Sequence, residues 1–61
     1  MRHYIAFYDD GHDYGEFTFY SSHRANSKAN YEDAKVEAQH KFGFKRAKCI
    51  NITHTQLDER N

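Results

Sequence analysis

One segment, Asn30 to Gly43, carries helical spacing, and the rest of the chain has to be arranged around it. Asn30 suits the N-cap, where its side-chain oxygen accepts an amide hydrogen of the first turn. Asp33, three residues on, comes close to a capping box. Glu32 and Asp33 then lie at the positive end of the helix dipole and Lys41 at the negative end. Gly43 fits the left-handed position just past a helix, and Phe44 can fold back on the last turn. Tyr31, Ala34, Ala38 and Phe42 form a narrow apolar stripe. Two of the four are alanines, so this helix can lie close to whatever it covers. Glu37 and Lys41 add a weak i,i+4 pair, and Val36 falls off the stripe into solvent.

What needs covering is strand-like. Arg2 to Asp9 alternates, with Ile5 and Phe7 on one face and Tyr4, Ala6 and Tyr8 on the other. Asp10 to Gly15 is a turn rich in Asp and Gly. Glu16 to Ser21 is a second strand with Phe17 and Phe19 on one face and Thr18 and Tyr20 on the other. The two runs predict a hairpin with a loop longer than two residues. A polar link, Ser22 to Ala29, leads into the helix. A third strand is expected over Ala47 to Thr53, with Ile50, Ile52, Lys48 and His54 on one side and Cys49, Asn51 and Thr53 on the other.

The order ββαβ places the third strand parallel to the second, on the far side of the first. The predicted fold is α+β: a three-stranded, mainly antiparallel sheet of order 2-1-3, with one helix on one face. Its core would hold Ile5, Phe7, Phe17, Phe19, Ala34, Ala38, Phe42, Ile50 and Ile52, with Tyr31 and Phe44 at the edges. Sixty-one residues make one domain, 1–61, with a tail from Leu57 to Asn61 expected to fray. A domain this small buries only ~60% of its unfolded surface, so a second subunit would help it, and a homodimer is expected.

The lone Cys49 has no disulfide partner within the chain and points to a reducing compartment. No apolar run reaches signal-peptide or membrane-spanning length, so a cytoplasmic location is expected. Nine basic and nine acidic side chains cancel, which argues against a strongly basic nucleic-acid binder. The balance is uneven along the chain: Asp9, Asp10, Asp13 and Glu16 gather early, and Lys41, Lys45, Arg46 and Lys48 gather late.

One helix covers one face of three strands. The other face would carry Tyr4, Tyr8, Thr18, Tyr20, Cys49, Asn51 and Thr53. The plain reading is a half-wet sheet of good strand formers. A functional reading is a protein-binding surface, since Tyr buries area and keeps a hydrogen-bonding tip. It would serve a sheet-to-sheet homodimer or a docked target; strand addition at an edge is another route to either. The alternative is single-stranded nucleic acid stacked on the tyrosines, with Lys45, Arg46, Lys48 and Arg2 reaching phosphates. The four early carboxylates weigh against it.

No other grouping carries chemistry. His3, His12, His23, His40 and His54 lack zinc-ligand spacing, although His3 and His54 could be neighbours on adjacent strands. The acidic turn lacks the register of a calcium loop. Cys49 has no recognisable orienting partners for a nucleophile, and the Lys41–Lys48 cluster reads first as a solvated helix end. No cofactor, metal or small-molecule substrate is expected. The outline of short hairpin, polar link, Asn-Tyr-Glu-Asp-Ala-Lys-Val-Glu-Ala helix and final strand resembles small accessory proteins of phages and mobile elements. That resemblance implies a non-enzymatic protein that binds a host protein or nucleic acid, for example an inhibitor of a host defence system. It transfers no residue roles.

Overall fold

Strand β1 (Arg2–Asp9) is the spine of the fold, hydrogen-bonded on both sides. The computed structural model describes residues 1–59. Strand β2 (Tyr14–Ser21) pairs with one edge of β1 and strand β3 (Asn51–Leu57) with the other, both antiparallel, giving the order 2-1-3. Helix α1 (Lys28–Phe42) and a single turn, α2 (Phe44–Ala47), complete the described elements. The expected α+β class and strand order are what the fold shows, with α2 as an addition.

The hairpin sets the register. The Asp10 amide donates to the Asp13 carbonyl at 3.1 Å, and the eight β1–β2 pairs that follow run from Asp9↔Tyr14 to Arg2↔Ser21 without interruption. Even positions of β1 therefore face odd positions of β2. Tyr4 lies opposite Phe19 and Ala6 opposite Phe17. Directly paired residues share a face, so Tyr4, Ala6 and Tyr8 turn toward α1 with Phe17 and Phe19. This reverses the expected faces of β1: Ile5 and Phe7 belong to the uncovered side. Tyr8 also fills the space over its partner Gly15, where an added Cβ would come within 2.5 Å of the tyrosine oxygen.

The core is aromatic on the sheet side and small on the helix side. Tyr4, Ala6, Phe17, Phe19, Ala34 and Ala38 are buried together, with Tyr8, Phe42 and Ile52 packed around them. Tyr4 stacks on Phe19 at 5.6 Å, and Phe42 meets Tyr8 and Phe17 edge-on at 5.7 and 5.9 Å. Burial of each phenyl ring contributes about 2–3 kcal/mol. The fully buried Ala34 and Ala38 let α1 approach this layer closely.

α1 starts three residues before the expected point. Ser27 is the N-cap, its hydroxyl accepting the Asn30 amide at 3.2 Å. Asn30 is released from capping and is fully buried on the stripe with Ala34 and Ala38. Its Nδ2 donates to the His23 carbonyl at 3.0 Å, and its Oδ1 accepts from the Thr55 hydroxyl. Asn26, in the left-handed region at φ 64°, completes the set. Its amide donates to Thr55 Oγ1 at 2.9 Å, and its Oδ1 accepts the Thr55 amide at 2.8 Å and the Tyr31 hydroxyl at 2.9 Å. Beside it, the buried Ser21 hydroxyl donates to Asp33 at 2.7 Å and accepts the His23 amide at 3.0 Å.

β3 lies four residues later than expected, at Asn51–Leu57, because α2 occupies Phe44–Ala47. Lys48 and Cys49 sit in the link between them, and Phe44 is 71% exposed rather than folded onto the helix. Gly43, at φ 85° and ψ 162°, takes a conformation open essentially to glycine alone. A bulge between the pairs Phe7↔His54 and Tyr8↔Ile52 leaves Thr53 as the extra residue. It places Ile52 inward and His54 outward, where the sequence pattern had them on one face. The β1–β3 ladder reaches into the stretch expected as a tail. Leu57 pairs with Tyr4, and the Asp58 amide donates to the His3 carbonyl at 2.9 Å. Residues 60 and 61 lie outside the described residues.

Asn30→Ala would leave the buried Thr55 hydroxyl without its acceptor and the His23 carbonyl without its side-chain donor. It should cost about 2–4 kcal/mol, read as a lower urea midpoint at unchanged slope, whereas Val36→Ser on the wet face should stay within about 0.5 kcal/mol.

Candidate functional site

With α1 on one side of the sheet, the opposite side carries His3, Ile5 and Phe7 from β1, Glu16, Thr18 and Tyr20 from β2, and His54 and Gln56 from β3. The positions follow from the alternation of each strand and from the bulge at Thr53. Their rings pair across strands. His3 lies against Tyr20 with centroids 4.6 Å apart, and Phe7 stacks on His54 at 4.6 Å with only 13° between planes. Ile5 sits between Thr18 and Gln56 and is only 4% exposed although no helix covers it. The uncovered side is thus packed at its centre and presents rings around it, with Tyr20 64% exposed.

His3 is the best anchored of these rings. Its Nδ1 lies 3.1 Å from the buried carboxylate of Asp58, whose own amide holds the His3 carbonyl. Such a partner fixes the orientation of the ring.

The sequence-predicted surface residues do not stay together. Thr18 and Tyr20 lie on the uncovered face. Tyr4 and Tyr8 lie against α1, in the core and at its margin. Asn51 is at the far end of β3 opposite Asp9, and Thr53 is the bulge residue, its hydroxyl donating to the Phe7 carbonyl at 3.1 Å. His3, Ile5, Phe7, His54 and Gln56 were not expected there. The hairpin register would have found the first three, and only the bulge reveals the other two.

The basic cluster belongs to the helix layer. Lys41 is on the last turn of α1 and Lys45 on α2. Arg46 is engaged, 3.6 Å from the Asp10 carboxylate and 5.6 Å over the Phe42 ring. Lys48 borders a shallow groove of about 240 Å³ with Lys35, Gln39 and Phe44.

The acidic turn is occupied with itself. Asp10 accepts the amides of Asp13 at 2.8 Å and His12 at 3.0 Å, and Asp9 accepts that of Gly11 at 3.3 Å. His3 and His54 pair with Tyr20 and Phe7 rather than with each other. Among the described residues no three His, Cys, Asp or Glu side chains converge as a metal-ligand set. Cys49 is exposed, its sulfur 4.0 Å from the Lys45 carbonyl. No described helix is long and apolar enough to cross a membrane.

Comparison with known proteins found no family model that matches the chain, no similar curated protein and no similar solved structure.

The backbone amides of Asp13 and His12 hold the Asp10 carboxyl below its ordinary range, with Arg46 adding to the effect. A carboxylate lowered on folding stabilises above its unfolded pKa, and that contribution is lost as pH falls through the folded value. In an acid titration followed by NMR, the His12 and Asp13 amides should shift together, with a midpoint below that of the isolated turn peptide. Asp10→Ala should abolish the shared transition.

Proposed function

We propose that the chain is a non-enzymatic protein-binding module whose contact surface is the sheet face that α1 leaves uncovered. The observation that supports this reading most is the pairing of rings across that face, His3 with Tyr20 and Phe7 with His54. Tyrosine and histidine bury apolar area while keeping a polar tip, the composition that favours protein interfaces. The packed Ile5 beneath them makes the platform rigid, so docking costs little ordering entropy.

The same geometry favours a protein partner over nucleic acid. Rings that stack bases need open faces, and here each ring gives one face to its neighbour. Phosphate contacts need free cations around the platform, whereas Lys41 and Lys45 are carried by the helices and Arg46 is engaged by Asp10.

A photo-crosslinking residue placed at Tyr20 or His54 should capture a discrete protein from cells that make this chain. The same residue at Val36, on the outer face of α1, should not. Excess unlabelled chain should compete, and the Tyr20→Ala/His54→Ala double variant should compete about tenfold less well, a typical loss for two ring contacts at an interface. Equal capture from Val36, equal competition by the double variant, or capture of nucleic acid alone would contradict the reading.

A further inference from the structure

The two edges of this sheet are treated differently. The hydrogen bond from the Asp10 amide to Asp13 fixes the phase of the hairpin ladder. Strict alternation then makes Tyr8↔Gly15, Ala6↔Phe17 and Tyr4↔Phe19 bonded pairs, and turns the backbone groups of Tyr14, Glu16, Thr18 and Tyr20 outward. On the other side of β1 the same phase turns Thr55 outward, and the Thr55 amide does leave the sheet, to Asn26.

The β3 edge is blunted twice. The Asn26 side chain and amide cover it at Thr55, and the bulge at Thr53 breaks its run. Both are devices that keep an edge from pairing with another chain. β2 has neither. It runs eight residues in unbroken register, without proline, lysine or arginine and with Glu16 as its one charge. Among the described residues the sheet ends at β2, with no further strand on its outer side. Tyr14 and Tyr20, on the uncovered side of the sheet, are 88% and 64% exposed.

We infer that β2 pairs antiparallel with β2 of a second copy, about a two-fold axis at Phe17. The sequence of the strand selects this occupant because it is complementary to itself. In that register all four outward residues meet outward residues: Tyr14 opposite the partner's Tyr20, Glu16 opposite the partner's Thr18, and the reverse. The two exposed tyrosines become cross-strand aromatic pairs, a favoured combination. An axis at Glu16 would set like charges face to face, and one at Thr18 would leave Tyr14 without its aromatic partner. The product is a six-stranded sheet of order 3-1-2-2-1-3. Both helices lie on one side and both uncovered faces on the other. The pairing uses edge backbone groups, so it stands whether or not the sheet face binds a further protein.

Sedimentation equilibrium from low-micromolar to millimolar chain tests this, with substitutions at Thr18 reporting the register. The wild-type chain should dimerise. Thr18→Glu faces the partner's Glu16 twice per dimer and should raise the dissociation constant about tenfold, whereas Thr18→Lys faces the same carboxylate and should not weaken the dimer. Amide exchange on the unmodified chain gives a second readout free of folding effects. The Thr18 and Tyr20 amides should be protected at high concentration and lose protection on dilution. A monomer throughout, equal weakening by Glu and Lys, or fast exchange of these amides at every concentration would overturn the inference.

Discussion

Asn30 is fully buried, and its one carboxamide joins three parts of the chain that are distant in sequence. It takes the Thr55 hydroxyl from β3 and gives its own hydrogen to the His23 carbonyl at the start of the β2–α1 link. Through Thr55 it is coupled to Asn26, and through the His23 backbone to Ser21 and Asp33. No buried side-chain polar atom among the described residues lacks a partner. A fully satisfied buried network is demanding, because sliding or turning α1 would leave several of these groups unpaired at once. The alanine stripe alone could not fix α1 in this way, since Ala34 and Ala38 offer little shape to lock.

The consequence reaches the far side of the sheet. With α1 fixed over Tyr4, Ala6, Phe17 and Phe19, the Ile5 and Phe7 row has to lie on the face without a helix. A choice between two plausible faces of β1 therefore decides which residues are available to a partner. The network decides a second thing as well. By drawing the link across to β3, it places Asn26 on that edge and leaves β2 as the open one.

Much of the architecture was legible in the residue pattern. The β1 boundaries, the β2 phenylalanine face, the Ala34–Ala38 stripe and the 2-1-3 order all follow from periodicity and connection rules. The faces of β1 did not, for a definite reason. Hydrophobicity favours Ile5 and Phe7 as the inward row, whereas the hairpin register makes Tyr4, Ala6 and Tyr8 the partners of the inward phenylalanines, and a one-residue change of register flips every side chain. β3 was misplaced because the Lys-Arg-Ala run after Phe44 reads as a strand lead-in but forms α2. Asn30 was misread because a buried asparagine and an N-cap asparagine look alike until Ser27 is seen to cap. Of the expected surface, Thr18 and Tyr20 lie on the uncovered face and Asn51 pairs with Asp9 of the same β1 row, while His54 reached that face only through the Thr53 bulge, which sequence does not announce.

The most direct measurement of this account is a nuclear Overhauser map between the helix methyls and the two rows of β1. The Ala34 and Ala38 methyls should contact Ala6 and the Phe19 ring, and the Tyr8 ring should contact Phe42, while Ile5 contacts Thr18 and Gln56 and nothing on α1. Contacts from Ile5 or Phe7 to Ala34 and Ala38, with Tyr4 and Tyr8 remote from the helix, would contradict it and would return the tyrosine row to the uncovered face.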